Sequence, residues 1–262
     1  MYAFELHKPK SVADAAAMLS KTGGKALAGG QSLVAAMKLR LAQPGHVVDL
    51  SGLADLKGIR KEGDALVIGA MSRHAEVAAS AVVKQAIPAL AALAEGIGDR
   101  MVRNMGTLGG SLANNDPAAD WPAAVLALDA TVHTNKRKIG ADAFFKGMYQ
   151  TALADDEIVV SVSFPVPKKA AYAKFPNPAS RFALVGVFVA QGGHGVRVAV
   201  TGAASSVFRC KPIEDALSKS WSADAAKAVK VDAAGLNADL HGSPAYRAHL
   251  VAVMASRAVS AS

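Results

Sequence analysis

Two glycine pairs, Gly29-Gly30 and Gly109-Gly110, constrain this chain more than any other feature of its sequence. Each lies in a run of small residues, Ala28-Gly29-Gly30-Gln31-Ser32-Leu33 and Gly106-Thr107-Leu108-Gly109-Gly110-Ser111. Without a Cβ, glycine lets the backbone turn sharply and approach another surface closely. The first run falls between a short apolar strand, Ala26 to Ala28, and a helix predicted from Ser32 to Leu41, where Leu33, Met37 and Leu41 recur every four residues. Amide groups at such a helix start suit a phosphate. The second run reads as a Gly-rich loop, Gly106 to Gly110, with amide donors and two hydroxyls. Together they can grip a pyrophosphate from both sides. On residue pattern alone, a plain turn and a phosphate cradle stand about even. A third pair, Gly23-Gly24, reads as a helix stop.

Around these loops the pattern alternates between short strands and helices. Strands are predicted at Phe4 to Leu6, Val47 to Leu50, Ala65 to Ile68 and Glu157 to Phe164, the last closed by Pro165 and Pro167. Ser11 caps a helix from Ala13 to Leu19, and Ala75 to Glu95 is helical with a break at Pro88. Asp116 before Pro117 reads as the N-cap of a helix spanning Ala118 to Leu128. Beyond Lys168-Lys169, strands Leu184 to Ala190 and Val196 to Thr201 flank a hairpin loop at Gly192 to Gly195. Helices at Ile213 to Ser218, Ala223 to Val229 and Tyr246 to Val259 follow. This is an α+β chain with a boundary between Pro165 and Phe175.

Composition narrows the function. Hydrophobic residues at 52% against 19% charged mark a folded protein. No apolar run reaches membrane-spanning length. The opening residues lack a basic segment leading into an apolar core, so the expectation is no secretory signal and a cytoplasmic protein. A single cysteine, Cys210, excludes an internal disulfide or a cysteine-held iron–sulfur cluster within the chain. The net charge of +8 is scattered and not interleaved with aromatics, which argues against a nucleic-acid groove. Neither G-x-x-x-x-G-K-[ST] nor a strand leading into G-x-G-x-x-G occurs, so P-loop and Rossmann sites are unsupported. H-E-x-x-H and G-x-S-x-G are absent as well.

Three segments carry a resemblance. Ala28-Gly-Gly-Gln-Ser-Leu with Met37-Lys38 downstream, Arg103-Asn-Met-Gly-Thr-Leu-Gly-Gly-Ser-Leu-Ala-Asn-Asn-Asp-Pro-Ala-Ala-Asp120, and Lys174-Phe-Pro-Asn-Pro-Ala-Ser-Arg-Phe-Ala183 resemble, in order, segments of the FAD-binding medium subunit of molybdenum hydroxylases. That family includes xanthine dehydrogenase, aldehyde oxidoreductases and aerobic carbon monoxide dehydrogenase. The resemblance implies a two-part FAD-binding domain of the vanillyl-alcohol-oxidase-like type at residues 1–170, split near 55–60, and a small α/β C-terminal domain at 171–262. It implies FAD contacts at Ala28, Gly29, Gly30, Gln31, Ser32 and Leu33, and at Thr107, Leu108, Gly109, Gly110 and Ser111. Asp120 matches an acidic ligand of the cofactor, Val159 and Ile97 match apolar contacts, and Lys174 matches a basic residue near the flavin. Phe182 stands where several relatives have Tyr, so an aromatic ring is kept there without its hydroxyl. On pattern alone, Asp120 would simply favour a helix N-terminus, Val159, Ile97 and Phe182 would be core, and Lys174 surface.

The implied function is electron transfer. Electrons would come from a molybdenum cofactor in a large subunit through iron–sulfur clusters of a small subunit to FAD here, then to an external acceptor. The implied assembly is a dimer of heterotrimers, with no catalytic or metal-binding residue in this chain. Two rivals remain: a free-standing FAD oxidase, and a non-enzymatic phosphate-binding module.

Overall fold

The computed structural model describes residues Met1–Ser262. The first layer is a three-stranded parallel sheet. It is built from β1 (Glu5–His7), α1 (Val12–Thr22), β2 (Lys25–Leu27), α2 (Leu33–Lys38) and β3 (His46–Asp49), in strand order β1-β3-β2. Ser11 caps α1 by accepting from Asp14 N, and Gly23 ends it with φ of 62°. Gly23 can adopt this left-handed turn because it has no Cβ to clash. Ala15, Leu19, Val48, Leu50 and Leu56 form a small core between α1 and the sheet. The helix predicted to run to Leu41 stops at Lys38: Arg40 turns left-handed at φ 61°, and Leu39 and Leu41 are left exposed.

The second layer is an antiparallel sheet in order β4-β5-β10-β6-β7, with helices on one side. In chain order it comprises β4 (Ile59–Glu62), β5 (Ala65–Gly69), α3 (His74–Ala79), α4 (Ala81–Ala86), α5 (Pro88–Glu95), α6 (Arg100–Met105), α7 (Leu108–Asn114) and α8 (Trp121–Ala127). After these come β6 (Thr131–Thr134), β7 (Lys138–Gly140), α9 (Ala141–Phe144), a small hairpin of β8 (Phe145–Gly147) and β9 (Gln150–Thr151), and β10 (Val159–Pro165). The stretch predicted as one helix broken at Pro88 is cut again at Ser80, whose hydroxyl caps α4 by accepting from Val83 N. The predicted Gly-rich loop is half helix: Gly109 and Gly110 lie in the first turn of α7, capped by Thr107. Asp116 does not cap a helix. It closes a local turn by accepting from Ala118 N, and Asp120 holds the cap position of α8.

The third layer is an antiparallel sheet in order β11-β12-β13-β14, formed by β11 (Lys169–Pro176), β12 (Ala183–Gly192), β13 (Gly195–Thr201) and β14 (Phe208–Arg209). Helices α10 (Lys211–Lys219), α11 (Ala223–Lys227) and α12 (Pro244–Ser260) cover it. Val187, Val189, Val198 and Val200 pack with Ile213, Leu217, Val251 and Met254 on that side. Phe188, Ala190 and Ala199 point the other way, into the large central core.

All seven residues of α8 are buried. An α-helix that is apolar all round belongs inside a fold, and this one lies between the second and third sheets. The third layer grips both of its ends. Thr201 donates its hydroxyl to Pro117 O and Ala119 O at 3.0 and 2.7 Å, and Arg197 Nε donates to Leu126 O at 2.9 Å. No helix is long and apolar enough to cross a membrane.

Candidate functional site

The two glycine runs meet. A Cβ on Gly29 would overlap the Met105 carbonyl, and one on Gly110 would stand 3.3 Å from Ala28 Cβ. The second run is pinned from beneath. Leu108 N donates to Ser72 O at 3.1 Å, Gly109 N to Ala70 O at 2.8 Å, and His74 N to Gly106 O at 3.0 Å. Gly109 is required there, because its Cβ would fall 2.5 Å from that of Ala70.

Their hydrogen-bond accounts differ. In the second run Gly106, Leu108, Gly109, Gly110 and Ser111 all donate within the chain, Gly110 to the Thr107 hydroxyl at 3.2 Å. Of residues 106–111, only the Thr107 N–H lacks an acceptor in the chain. In the first run the amides of Gly29, Gly30, Gln31, Ser32 and Leu33 all lack an acceptor in the chain. This stretch is half-buried to exposed, and Ser32 does not use its hydroxyl to cap α2. Gly30 holds the turn at φ 72°, and Gln31 Nε2 steadies it by donating to Gly29 O at 3.1 Å. Successive unpaired amides form a concavity for an anion. With α2 only six residues long, these individual donors count for more than a macrodipole. The first run is thus the better anion cradle and the second is its buttress, in which the Thr107 amide is left without an acceptor in the chain.

A buried charge cluster stands at the start of α8. Asp120, only 5% exposed, accepts from the Tyr172 hydroxyl through one carboxylate oxygen and from Lys174 Nζ at 3.1 Å through the other. Burial pushes the Asp120 carboxyl up, against the pull of Lys174 and both hydrogen bonds. Burial, and next the Asp120 charge, push the Tyr172 phenol far above its ordinary range, so it remains a donor. Lys174 Nζ also donates to Gly96 O at 2.8 Å, which ties β11 to the turn after α5. Arg103 reaches the same turn, donating to Ile97 O and Gly98 O at 2.9 and 3.0 Å.

These bonds bring Ile97, Asp120 and Lys174 together, with Ile97 half-buried against the central core. Lys174 is not a surface residue, since only 11% of its side chain is exposed. Phe182 is not core: it is 48% exposed, in the turn before β12. Val159 lies inside the central core, while its neighbour Val160 packs with the cluster that Ala28 joins. Sequence reasoning missed Tyr172, although its two-residue spacing from Lys174 puts both on one face of a strand. It also missed His74, whose Nδ1 accepts from Trp121 Nε1 at 3.1 Å and whose ring abuts Gly106. Burial first, and then Arg103, lower the His74 pKa from 6.5 to about 4.

Comparison with known proteins adds the context. The family described as FAD binding domain in molybdopterin dehydrogenase matches residues 2–167. The carbon monoxide dehydrogenase medium chain of Hydrogenophaga pseudoflava is 35% identical, over 98% of this chain and 96% of its own length. The nicotine 6-hydroxylase medium subunit of Paenarthrobacter nicotinovorans is 36% identical, over 96% and 94%. Among solved structures, the carbon monoxide dehydrogenase from Hydrogenophaga pseudoflava that lacks the Mo-pyranopterin moiety superimposes with a TM-score of 0.88 at 35% identity, covering 99% of this chain and 97% of that one. A buttressed run of unpaired amides, a buried Asp–Lys–Tyr cluster and these matches agree: the chain belongs to the FAD-binding medium subunits of the molybdenum hydroxylases, the electron-transferring flavoproteins of multi-subunit oxidoreductases.

Proposed function

We propose that this chain holds FAD with its pyrophosphate on the amides of Gly29 to Leu33, within an assembly of a large molybdenum-cofactor subunit and a small iron–sulfur subunit. The unpaired donors of that run carry the reading. Ala28 and Leu33 flank the anion, and Thr107 and Ser111 add an amide and a hydroxyl. Leu108, Gly109 and Gly110 hold the buttress in place with amides that are already engaged. Lys174 presents its ammonium beside Ile97, with Asp120 fixing the direction in which it points. Phe182 offers an exposed ring to cover the flavin, and Val159 supports the site from the core. Bound FAD supplies the redox chemistry, which here means relaying electrons from the partner's iron–sulfur clusters to an external acceptor. The protein's own part is to bind, orient and charge-balance the cofactor.

Further elements of the proposal are a dimer of heterotrimers in the cytoplasm, and a FAD-binding domain ending near residue 170. The change of sheet after Pro165 supports that division. The test is the visible spectrum and released cofactor of the purified chain, alone and co-expressed with its partners. The expected result is a yellow protein that releases FAD and co-purifies with chains carrying molybdenum and iron. A chain colourless even in the assembled complex ends the reading.

A further inference from the structure

Away from the glycine loops, three side chains converge at the starts of the parallel strands. The register pairs Glu5 with His46, and Glu5 and His7 share a face of β1. The glycine loop follows the other end of the same sheet, after Leu27 of β2. His7 Nε2 lies 3.1 Å from His46 Nδ1, His46 Nδ1 lies 3.4 Å from Glu5 Oε2, and His7 Nε2 lies 4.0 Å from Glu5 Oε2. All three are accessible to solvent, Glu5 the most. Gly24 lies against the carbonyl and Cβ of His46, where a side chain would displace the start of β3.

From these residues we propose a site for a divalent transition-metal cation of the zinc type, with Glu5, His7 and His46 as ligands. Zinc takes imidazole nitrogens at about 2.0–2.1 Å and carboxylate oxygens at about 2.0–2.2 Å, which sets neighbouring ligand atoms of a tetrahedron about 3.3 Å apart. The observed edges of 3.1, 3.4 and 4.0 Å bracket that spacing. The nearest point equidistant from the three atoms lies in their plane about 2.1 Å from each, the bond length zinc needs, and closing the 4.0 Å edge through the exposed Glu5 side chain lifts the cation to a tetrahedral position. Two imidazoles and one carboxylate are also the right donors: borderline nitrogen ligands favour zinc, nickel or copper over magnesium or calcium. Water would fill the fourth position from the open side. No other three His, Cys, Asp or Glu side chains in the chain converge this way. His74 already accepts from Trp121, and His194 is paired with Asp129.

The consequence is local. β1 has three residues, and Glu5 and Leu6 are exposed, so little apolar burial holds this edge strand. A cation bridging β1 and β3 binds the folded chain and not the unfolded one, and so fastens the strand to the sheet.

The test is calorimetric titration of the untagged, chelator-treated chain with zinc chloride, alongside H7Q and H46Q. Saturable binding of a single zinc is expected. Each variant should lose more than about 100-fold in affinity, beyond the roughly 10–100-fold that losing an outer-shell partner costs. Zinc should raise the melting temperature of the parent chain and leave that of the variants unchanged. Retained flavin content and circular dichroism in the variants show that the fold is intact. In the parent chain, zinc should also protect His7 and His46 from diethylpyrocarbonate, mapped by mass spectrometry. Absence of saturable binding, equal affinity in all three chains, or no protection overturns the proposal and leaves a hydrogen-bonded histidine pair.

Discussion

Tyr172 reaches Asp120 across a space that Gly186 leaves open, since a Cβ at Gly186 would overlap the phenol oxygen. Gly186→Ala should therefore displace the ring and strip Asp120 of one donor, lowering the urea midpoint of the holoprotein. The Asp120–Lys174 pair is buried enough that removing one partner strands the other. Lys174→Met alone should cost about 3–5 kcal/mol, and the double variant with Asp120→Asn should cost clearly less than the sum of the singles. A denaturant double-mutant cycle reads this directly, and additivity would refute it. Gly29→Ala forces the two loops apart at Met105, so flavin per chain in the purified complex should fall sharply while the chain still assembles. His74 gives a pH dependence. The unfolded chain takes up a proton near pH 6.5, whereas the folded chain resists until about pH 4. Stability from this group is complete above about pH 6.5 and declines as the pH falls toward 4, by up to about 3 kcal/mol. Between pH 7 and 5, His74→Gln should show a flatter dependence of urea midpoint on pH than the parent, and parallel curves would refute it.

At the scale of elements, legibility followed locality. Both glycine runs could be read because their constraint is local: a turn or a close approach excludes Cβ wherever it occurs. The hairpin of β12 and β13 was equally plain, with a largely apolar run on either side of Gly192 to Gly195. Short polar strands escaped notice. β4 reads Ile-Arg-Lys-Glu and is a mostly exposed edge, so only pairing with β5 defines it. β11 was lost in the presumed boundary, and with it Tyr172, because nothing local says that its lysine and tyrosine meet a carboxylate more than fifty residues earlier. The opposite error occurred at Phe182, where apolarity suggested burial but the turn before β12 leaves the ring half out. Helix α8 carries its own prediction. Ala123 and Ala124 are fully buried between two sheets, so Ala124→Leu should overpack the joint and cost about 1–3 kcal/mol in equilibrium unfolding.

For the whole molecule, α8 is the shared element. The central core includes residues of the second and third sheets as well as this helix, so the C-terminal layer is not an independently buried unit. Scanning calorimetry should show one cooperative transition that includes the C-terminal layer, and a separately melting C-terminal layer would contradict the shared core. The Asp120–Lys174 pair also has a consequence in time. During synthesis the carboxylate leaves the ribosome well before its cation, and the third sheet that carries Lys174 is completed later still. A nascent chain halted between them would already own both glycine loops, yet its α8 would lack a covering sheet and its acid would lack a counter-charge. The third sheet is therefore the last layer to close over the central core, on an α8 that was made before it.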